Sequence, residues 1–531
     1  MRDGRVVDAA GVAKTALLVS ALSLALSATA FASDLRVETG ALERVSGTGA
    51  LRVPAKISWK NSWRNAKNHD AVWLFVKVRT GPNAIWRHAR LLAASRSTST
   101  PMACEASADR VGIFCQPAAT HRGDLAGDIV LDIDPNSLPV SMRGGGALEA
   151  RVYGLEMVYV SDGPFSVGDP DTASVAHAAF YRSNARGEHG GPFRITSEAA
   201  IRVAPEDGAL YYRANLAQYE GDRSGPVPAE FPKGTRAFYI MKYEITQGQY
   251  ADFLNGISHY AASFRAPFAG IGYYDERGTI RIEDGSYVAS KPNRPANQLS
   301  WDDGTTFADW AGLRPMTELE FTKAARGPVD PVGTDYPWGT SSKAGLLRKV
   351  GADDDLAQTG AADESRLIDS TREALGASYW WVMDLAGSVW ERAATIGHPR
   401  GRAFRGTHGD GNIRDYGMPT NEDWPQGDHE AGGYGYRGGG YYERAREQPR
   451  ASATAPELNP YSPVEWRNYG SWGGGPRGVA YGFRAVRTAD SARPRYRITR
   501  TSFRASQPTP FLRRDRHSIV SRRPLAAHSR R

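Results

Sequence analysis

A His-x-Asp pair is one place where the sequence could hold a metal. His408 and Asp410 lie two positions apart, and His429 follows in the same glycine-rich region. Two histidines and one carboxylate are the ligands of non-haem iron enzymes, so this set would make the chain an oxidoreductase. Polar glycine-rich loops contain such residues without any metal, and the alternative is an ordinary loop.

Aromatic and arginine side chains are concentrated on glycine-supported loops between residues 424 and 472. Rigid rings stack on a ligand at low entropic cost and polar groups give direction, so this composition favours binding of a sugar or a protein. The alternative is that the rings form the core of a loop-rich fold. The candidate ligand-binding residues are Arg437, Tyr441, Tyr442, Glu443, Gln448, Trp466 and Trp472.

The N-terminus has the pattern of a secretory signal peptide. Basic residues precede the apolar run "TALLVSALSLALSATA", and Ala30-Phe31-Ala32 forms a small-residue cleavage site. The pattern predicts a signal peptide over residues 1–32 and a periplasmic or secreted protein. A membrane anchor is the alternative, but the run is short and no later stretch is apolar enough to span a bilayer.

Cys104 and Cys115 are the only cysteines of the chain. An exported protein meets an oxidising compartment, and the segment between them is short enough to be bridged. We therefore expect a structural disulfide. A reactive thiol pair is the alternative, but no His or Lys flanks it to lower a thiol pKa.

The basic charge belongs to the C-terminal tail. The chain carries a net charge of +8, while residues 491–531 contain 12 Arg, no Lys and one Asp. The rest of the chain is therefore slightly acidic. We expect residues 489–531 to be a disordered Arg-rich tail that either binds an anionic polymer by charge or is dispensable.

Residues 33–150 read as a β-sandwich domain. Short apolar segments such as "RVPAKISW" and "GDIVLDIDP" alternate with Gly, Pro, Asn and Asp turns, as in all-β domains. The segment "AVWLFVKV" is apolar on both faces, which predicts a strand buried between two sheets.

Residues 151–488 combine short strands, three helices and long loops. Thr246 and Thr317 precede helical patterns, and Glu320 stands at the capping-box position. A third helix is predicted over "SWDDGTTFADWAGL", ending at Gly312, and Gly327 ends the helix that follows Thr317. The fold class is therefore α+β after an all-β domain.

Seven segments of this second region resemble, in order, the signatures of the formylglycine-generating enzyme family, also called sulfatase-modifying factors. They are "MVYVSDGPFSVG", "YEITQGQYADFLN", "RPANQLSWDDGTTFADWAGLRPMTELEFTKAARG", "YPWG", "MDLAGSVWE", "RGGGYY" and "YGFRAVR". The resemblance implies a C-type-lectin-type fold with little regular secondary structure.

The family's oxidase cysteines are missing. In that family, two cysteines after the Arg-Gly-Gly signature bind copper and use oxygen to convert a sulfatase cysteine to formylglycine. Alignment on Arg437-Gly438-Gly439 puts Glu443 and Gln448 at those positions. Neither supplies the thiolate that selects Cu(I). The resemblance thus implies the family's frame without copper and without formylglycine formation.

The resemblance also implies a structural calcium site. In "MDLAGSVWE", Asp384 and Glu391 match the family's side-chain ligands, and Gly387 and Val389 match its carbonyl ligands. A tight loop with two carboxylates and exposed carbonyls suits Ca²⁺, which takes six to eight oxygens. The usual Trp after the Glu is Arg392 here, which adds a nearby cation.

These observations predict an exported protein that binds a glycan or protein ligand through its loops and does not catalyse formylglycine formation. One alternative is a metal-dependent oxidoreductase of the same superfamily that acts on a periplasmic substrate. Another is a structural accessory tethered to a larger assembly by its Arg-rich tail.

Overall fold

The computed structural model describes residues 35–46, 49–99, 101–143, 147–213, 221–269, 273–274, 277–346, 367–426, 432–441, 461–467 and 477–490. The predicted signal peptide and residues 491–531 of the predicted tail lie outside these ranges. Within them, no helix combines the length and the apolar character that a membrane crossing requires.

Strands dominate the first 160 residues. They are β1 (Arg36–Thr39), β2 (Glu43–Arg44), β3 (Leu51–Arg64), β4 (Asp70–Arg79), β5 (Arg87–Ala89), β6 (Arg96–Ser97), β7 (Met102–Ala106), β8 (Ile113–Pro117), β9 (His121–Ile133) and β10 (Glu149–Val160), with the short helix α1 (Val140–Arg143) before β10.

Two sheets of this region enclose an apolar core. One sheet has the order β1-β3-β9-β6, with β2 paired to β3, and the other contains β10-β4-β8-β7. Alternate residues of β3 and β9 pack against Leu74 and its neighbours from β4. Cys104 and Cys115 face each other across β7 and β8 and form a disulfide. The predicted disulfide is confirmed.

Strand β4 is buried on both faces because it serves two cores. Val72 and Leu74 point into the sandwich, whereas Trp73 and Phe75 point away from it and pack with Trp310. The prediction of two covering sheets is therefore right for one face only. Helix and loop residues of the second region cover the other face.

The second region is built from short elements. Its strands are β11 (Phe165–Val167), β12 (Tyr181–Arg182), β13 (Phe193–Ile195), β14 (Leu210–Tyr211), β15 (Phe238–Met241), β16 (Ile280–Glu283), β17 (Ser286–Ala289), β18 (Arg314–Pro315), β19 (Trp390–Ala394), β20 (Tyr434–Arg437), β21 (Tyr481–Gly482) and β22 (Ala485–Thr488). Its helices are α2 (Gln247–Asn255), α3 (His259–Arg265), α4 (Trp301–Trp310), α5 (Glu318–Arg326), α6 (Arg372–Leu375) and α7 (Pro399–Arg402).

The predicted helix ends are present. Thr246 and Thr317 cap α2 and α5 with reciprocal capping boxes, in which Glu320 is the partner of Thr317. Gly327 ends α5 at a φ of 74°, where a residue with a Cβ would be strained. Helix α4 has its last residue at Trp310, and Gly312 follows at a φ of 70°.

The two predicted domains share one sheet. Strand β10 pairs with β4 on one side and with β15 on the other, and the eight-stranded sheet continues through β22 to β18. The predicted boundary at residue 150 therefore lies inside β10 rather than in a linker. The chain up to Asp490 forms one compact unit.

Candidate functional site

A small three-stranded sheet positions the residues that the sequence singled out. Strand β19 pairs antiparallel with β20, so that Glu391 lies opposite Arg437, and parallel with β21. The loop before β19 carries Asp384 at a φ of 60°, a left-handed conformation that Asp tolerates better than most residues. This loop and the sheet bring Asp384, Glu391 and Arg437 into one region.

Glu391 forms a bidentate ion pair inside the protein. Its side chain is fully buried, and Arg484 donates from Nε to both carboxylate oxygens at 2.9 Å and from Nη2 to Oε1 at 2.7 Å. Burial raises the pKa of Glu391; Arg484 opposes that rise, and the negative charge of Asp384 adds to it. The two carboxylates therefore lie close enough to repel each other.

The loop before β19 and the nearby Glu244 supply carboxylate and carbonyl oxygens, the donor types that a calcium ion would need. Asp384 and Glu244 both act on Arg484 electrostatically, in addition to Glu391, so that three carboxylates surround one guanidinium. No hydrogen bond from the described residues reaches the carbonyl oxygens of Gly387 and Val389. Hard oxygens and excess negative charge are what Ca²⁺ requires.

Arg392 does not direct its positive charge toward the Glu391 carboxylate, as its position in the sequence suggested. Successive residues of a strand point to opposite faces, so Arg392 points away from the Glu391 carboxylate. Its guanidinium carbon lies 4.9 Å from the ring centre of Tyr436 and 5.2 Å from that of Tyr481. The extra cation is therefore held by aromatic rings on the far side of β19.

Arg437 forms its described contacts inside the protein. It is only 1% exposed, and it donates to the carbonyl of Val464 at 2.8 Å and to that of Glu318 at 3.3 Å. Burial lowers the pKa of Arg437 to about 10, while the Glu318 and Glu465 carboxylates act to raise it. Arg437 thus fixes the segment that carries Trp466, and its contact with a ligand stays a prediction.

Tyr441 is likewise used inside the protein. Its side chain is buried and its hydroxyl donates to the carbonyl of Val479 at 2.8 Å. The guanidinium of Arg277 lies 4.7 Å from its ring centre. The predicted ligand contact at Tyr441 also stays a prediction. The other candidates Tyr442, Glu443, Gln448 and Trp472 lie outside the described residues.

Trp466 keeps the features of a binding residue. Its ring is half-buried and stacks on His177, with 3.6 Å between ring centres and 12° between planes. The indole Nε1 is buried and has no hydrogen-bond partner among the described residues. An indole N–H in that position has a donor to offer to a ligand or a water.

Other buried polar atoms without a partner surround Trp466. Within the described chain, they include Arg437 Nε, Ser462 Oγ and Glu465 Oε2. Burial also raises the pKa of Glu465, although Arg326 opposes the rise. Such atoms cost free energy unless something meets them. We call this set, Arg437, Ser462, Glu465 and Trp466, the polar cluster.

The His-x-Asp pair is not arranged as a metal site. His408 Nε2 accepts a hydrogen bond from the backbone N–H of Thr488 at 3.1 Å. Burial lowers the pKa of His408, and the nearby Arg487 and Arg314 lower it further. Asp410 accepts from the backbone of Asn412, and His429 lies outside the described residues. In the described chain, no group of three or more His, Cys, Asp or Glu residues is placed to hold a metal.

Sequence reasoning missed the arginines that support this region. Arg326 binds Asp169, Asp335 and Glu465, and Arg467 binds Glu318 at 2.7 Å. These pairs join segments that are far apart in sequence, so no local pattern identifies the partners. Arg326 and Arg484 lie in quoted family segments, "MTELEFTKAARG" and "YGFRAVR", but these segments do not indicate their partners.

Residues 189–489 match the family model described as the sulfatase-modifying factor enzyme 1-like domain. The match covers more than half of the 531 residues. The chain belongs to this family. The resemblance found in the seven sequence segments is therefore confirmed, and the segments lie in a structure of mixed helices and strands.

Several sulfatase-modifying factor relatives are similar over part of their length. The formylglycine-generating enzyme of Streptomyces coelicolor is 27% identical over 32% of this chain and 63% of its own length. The inactive Cα-formylglycine-generating enzyme 2 of Mus musculus is 30% identical over 23% of this chain and 38% of its own length. The hercynine oxygenase of Mycobacterium tuberculosis is 25% identical over 29% of this chain and 37% of its own length. The chain thus spans less than two thirds of these relatives.

Proposed function

We propose that this protein is an exported sulfatase-modifying factor relative that binds a glycan or protein ligand and does not make formylglycine. The proposal includes a C-type-lectin-type arrangement of the loops. It also includes structural calcium held by Asp384, Glu391 and the carbonyls of Gly387 and Val389. The relative named as inactive supports the view that this family contains members without the oxidase reaction.

One observation carries the proposal: the chain has no thiol left for copper. Its two cysteines are Cys104 and Cys115, and they are joined to each other on β7 and β8. A disulfide supplies no thiolate, and the oxidase chemistry of the family needs two thiolates at one copper ion. The residues at the family's cysteine positions, Glu443 and Gln448, are hard or neutral oxygen donors.

The polar cluster supports a binding role. An indole N–H and a buried carboxyl oxygen, both without a partner among the described residues, lie within one short segment, residues 462–466, which Arg437 fixes in place. Aromatic stacking with directed polar groups is the usual way in which proteins hold sugars and peptide side chains. We therefore expect the main ligand contact at Trp466, in the segment that Arg437 supports.

The test is a screen of the purified chain against an array of neutral and acidic oligosaccharides and a peptide library. We expect retention on at least one class of probe, and a loss of affinity of about tenfold or more in Trp466→Ala, as for a central aromatic contact. Trp466→Phe keeps the ring and removes the N–H donor, so it should lose less. Trp86→Ala, a half-buried indole on the sandwich, is the matched control.

Retention that Trp466→Ala leaves unchanged would contradict the proposed contact. Failure of every probe to bind would contradict the binding function itself. Calcium should be present in each assay. The proposed calcium loop leads into β19, whose Glu391 lies opposite Arg437 of β20.

A further inference from the structure

A second site lies beside β5, where the sandwich meets the region matched by the family model, residues 189–489, which we call the family domain. A cavity of about 370 Å³ opens there, between Arg87, Arg90 and Arg143 on the sandwich side and Asp410 and Asn412 on the family-domain side. Its volume is at the small end of the range for ligand sites. Neither the family match nor the polar cluster accounts for it.

The charge of this cavity is positive. Three guanidiniums line it against one carboxylate, that of Asp410. His88 also lines it and is neutral, because burial lowers its pKa well below the usual value and the nearby Lys77 lowers it further. The lining itself therefore carries an excess of two positive charges.

Several donors in the lining are unused. Among the described residues, the side chains of Arg87, Arg90, Asn136 and Asn412 form no hydrogen bond or ion pair. Arginine presents its donors in a planar fork that matches carboxylate, sulfate and phosphate oxygens. An amide N–H adds a further donor to the same kind of group.

The rest of the lining is held rigidly. Arg143 donates from Nε to the carbonyl of Leu138 at 2.8 Å and from Nη2 to that of Asn136 at 2.9 Å. These bonds fix Arg143 while leaving N–H groups for a ligand. Ser137 Oγ accepts from the backbone N–H of Arg90, so the loop and the strand end are joined.

The family-domain side of the cavity is fixed by a buried lysine. Lys77 of β4 donates to the carbonyl of Gly411 at 2.6 Å and to that of Trp310 at 2.8 Å. Gly411 has a φ of 85°, and a Cβ there would stand 2.1 Å from His88 Nδ1. The loop thus passes directly over the His88 ring, and only glycine permits this approach.

We propose that this cavity binds a small ligand through an anionic oxygen group, that is, a carboxylate, sulfate or phosphate. Arg87, Arg90 and Arg143 neutralise the anion, and Asn136 and Asn412 orient it. The site is formed jointly by the sandwich and the family domain, which the shared strand β10 holds in one sheet. The proposal is independent of the binding function proposed above.

The test is titration of the full chain with glucuronate, sulfate and phosphate at constant ionic strength, with chloride as the background anion. We expect saturable binding at one site per chain for at least one of these anions. Each of Arg87→Gln and Arg90→Gln should weaken it about tenfold, since each removes a charge-assisted hydrogen bond. Preference for glucuronate would identify an acidic sugar or organic acid, and preference for sulfate or phosphate an inorganic or ester oxyanion.

Arg44→Gln is the matched control, because Arg44 is an exposed arginine of the same sandwich that does not line the cavity. It should leave the affinity unchanged. Equal weakening by Arg44→Gln would mean that net charge attracts the anion and would overturn the proposal. The absence of saturable binding by all three anions would overturn it as well.

Discussion

The sandwich and the family domain differ in the kind of side chains that fill their interiors. The sandwich is built from long paired strands around apolar side chains. In the family domain, the interior contains seven arginines among the largest fully buried side chains, namely Arg314, Arg326, Arg392, Arg437, Arg467, Arg484 and Arg487. None of the corresponding side chains in the sandwich is charged.

The difference follows from the backbone. Strands satisfy their own N–H and C=O groups in ladders, whereas buried loops leave carbonyls that need donors from elsewhere. An arginine offers five N–H groups and pairs with a carboxylate at the same time. Arg484 shows both functions, because it binds Glu391 and also the carbonyls of Met241 and Met383. The loops of the family domain are in this way supported by buried polar pairs.

The largest effect is expected from Arg326→Met. Arg326 pairs with Asp169, Asp335 and Glu465, and its removal leaves buried carboxylates without a partner. We expect the free energy of unfolding to fall by about 3–5 kcal/mol or more, measured by urea denaturation. Arg202→Met is the control, since the Arg202–Glu206 pair is exposed and should contribute about 0–1 kcal/mol. Similar losses in both variants would remove the distinction between the two kinds of interior.

Leu74→Ala tests the apolar interior of the sandwich. Leu74 is fully buried on β4, and a cavity in such a core costs about 2–5 kcal/mol. The loss should not depend on salt or on pH near neutrality, because the substitution changes no charge. A loss that varies with salt would contradict the comparison.

Calcium should stabilise the family domain through the loop before β19. At about a hundredfold excess over the dissociation constant, a ligand of the native state adds about 2.7 kcal/mol to the free energy of unfolding. We expect this increase to be lost in Asp384→Asn and kept in Asp207→Asn, an exposed carboxylate elsewhere. Calorimetric or thermal unfolding with and without a chelator measures this increase in stability. An unchanged melting temperature would show that Arg484 alone neutralises Glu391.

The smallest effect concerns Lys77, which joins the two regions. Burial lowers its pKa from 10.5 to about 7, although Asp309 and Asp410 act to raise it; the neutral His88 also lies beside it. Between these two pH values the unfolded chain binds more protons than the folded one, so Lys77 makes stability rise with pH. Lys77→Met should remove that rise and cost about 1–3 kcal/mol for the two carbonyls left without a donor.

Unfolding at several pH values measures this contribution. Lys56→Met, which replaces an exposed lysine of β3, should keep the pH dependence of the parent chain. If Lys77→Met also kept it, the buried lysine would not be the group that titrates.

Sequence patterns within a short segment predicted the local structure, but they did not predict pairing between distant segments. The caps at Thr246 and Thr317 and the bridge between Cys104 and Cys115 depend on residues a few positions apart. The carboxylate partner of Arg484 lies 93 residues away, and those of Arg326 lie up to 157 residues away. The sharing of β10 by the two regions likewise depends on its pairing with β15. The candidate ligand residues Arg437 and Tyr441 were recognised as important, but composition cannot distinguish a supporting residue from an exposed one.

The most direct test of the central claim is oxidation of a cysteine-containing sulfatase peptide by the purified chain loaded with Cu(I), under oxygen. The formylglycine-generating enzyme of Streptomyces coelicolor, a relative in the same family, serves as the positive control. We predict no formylglycine by mass spectrometry and no copper bound at one ion per chain. Formylglycine in the peptide would contradict the account, because it would require the oxidase reaction without free thiolates.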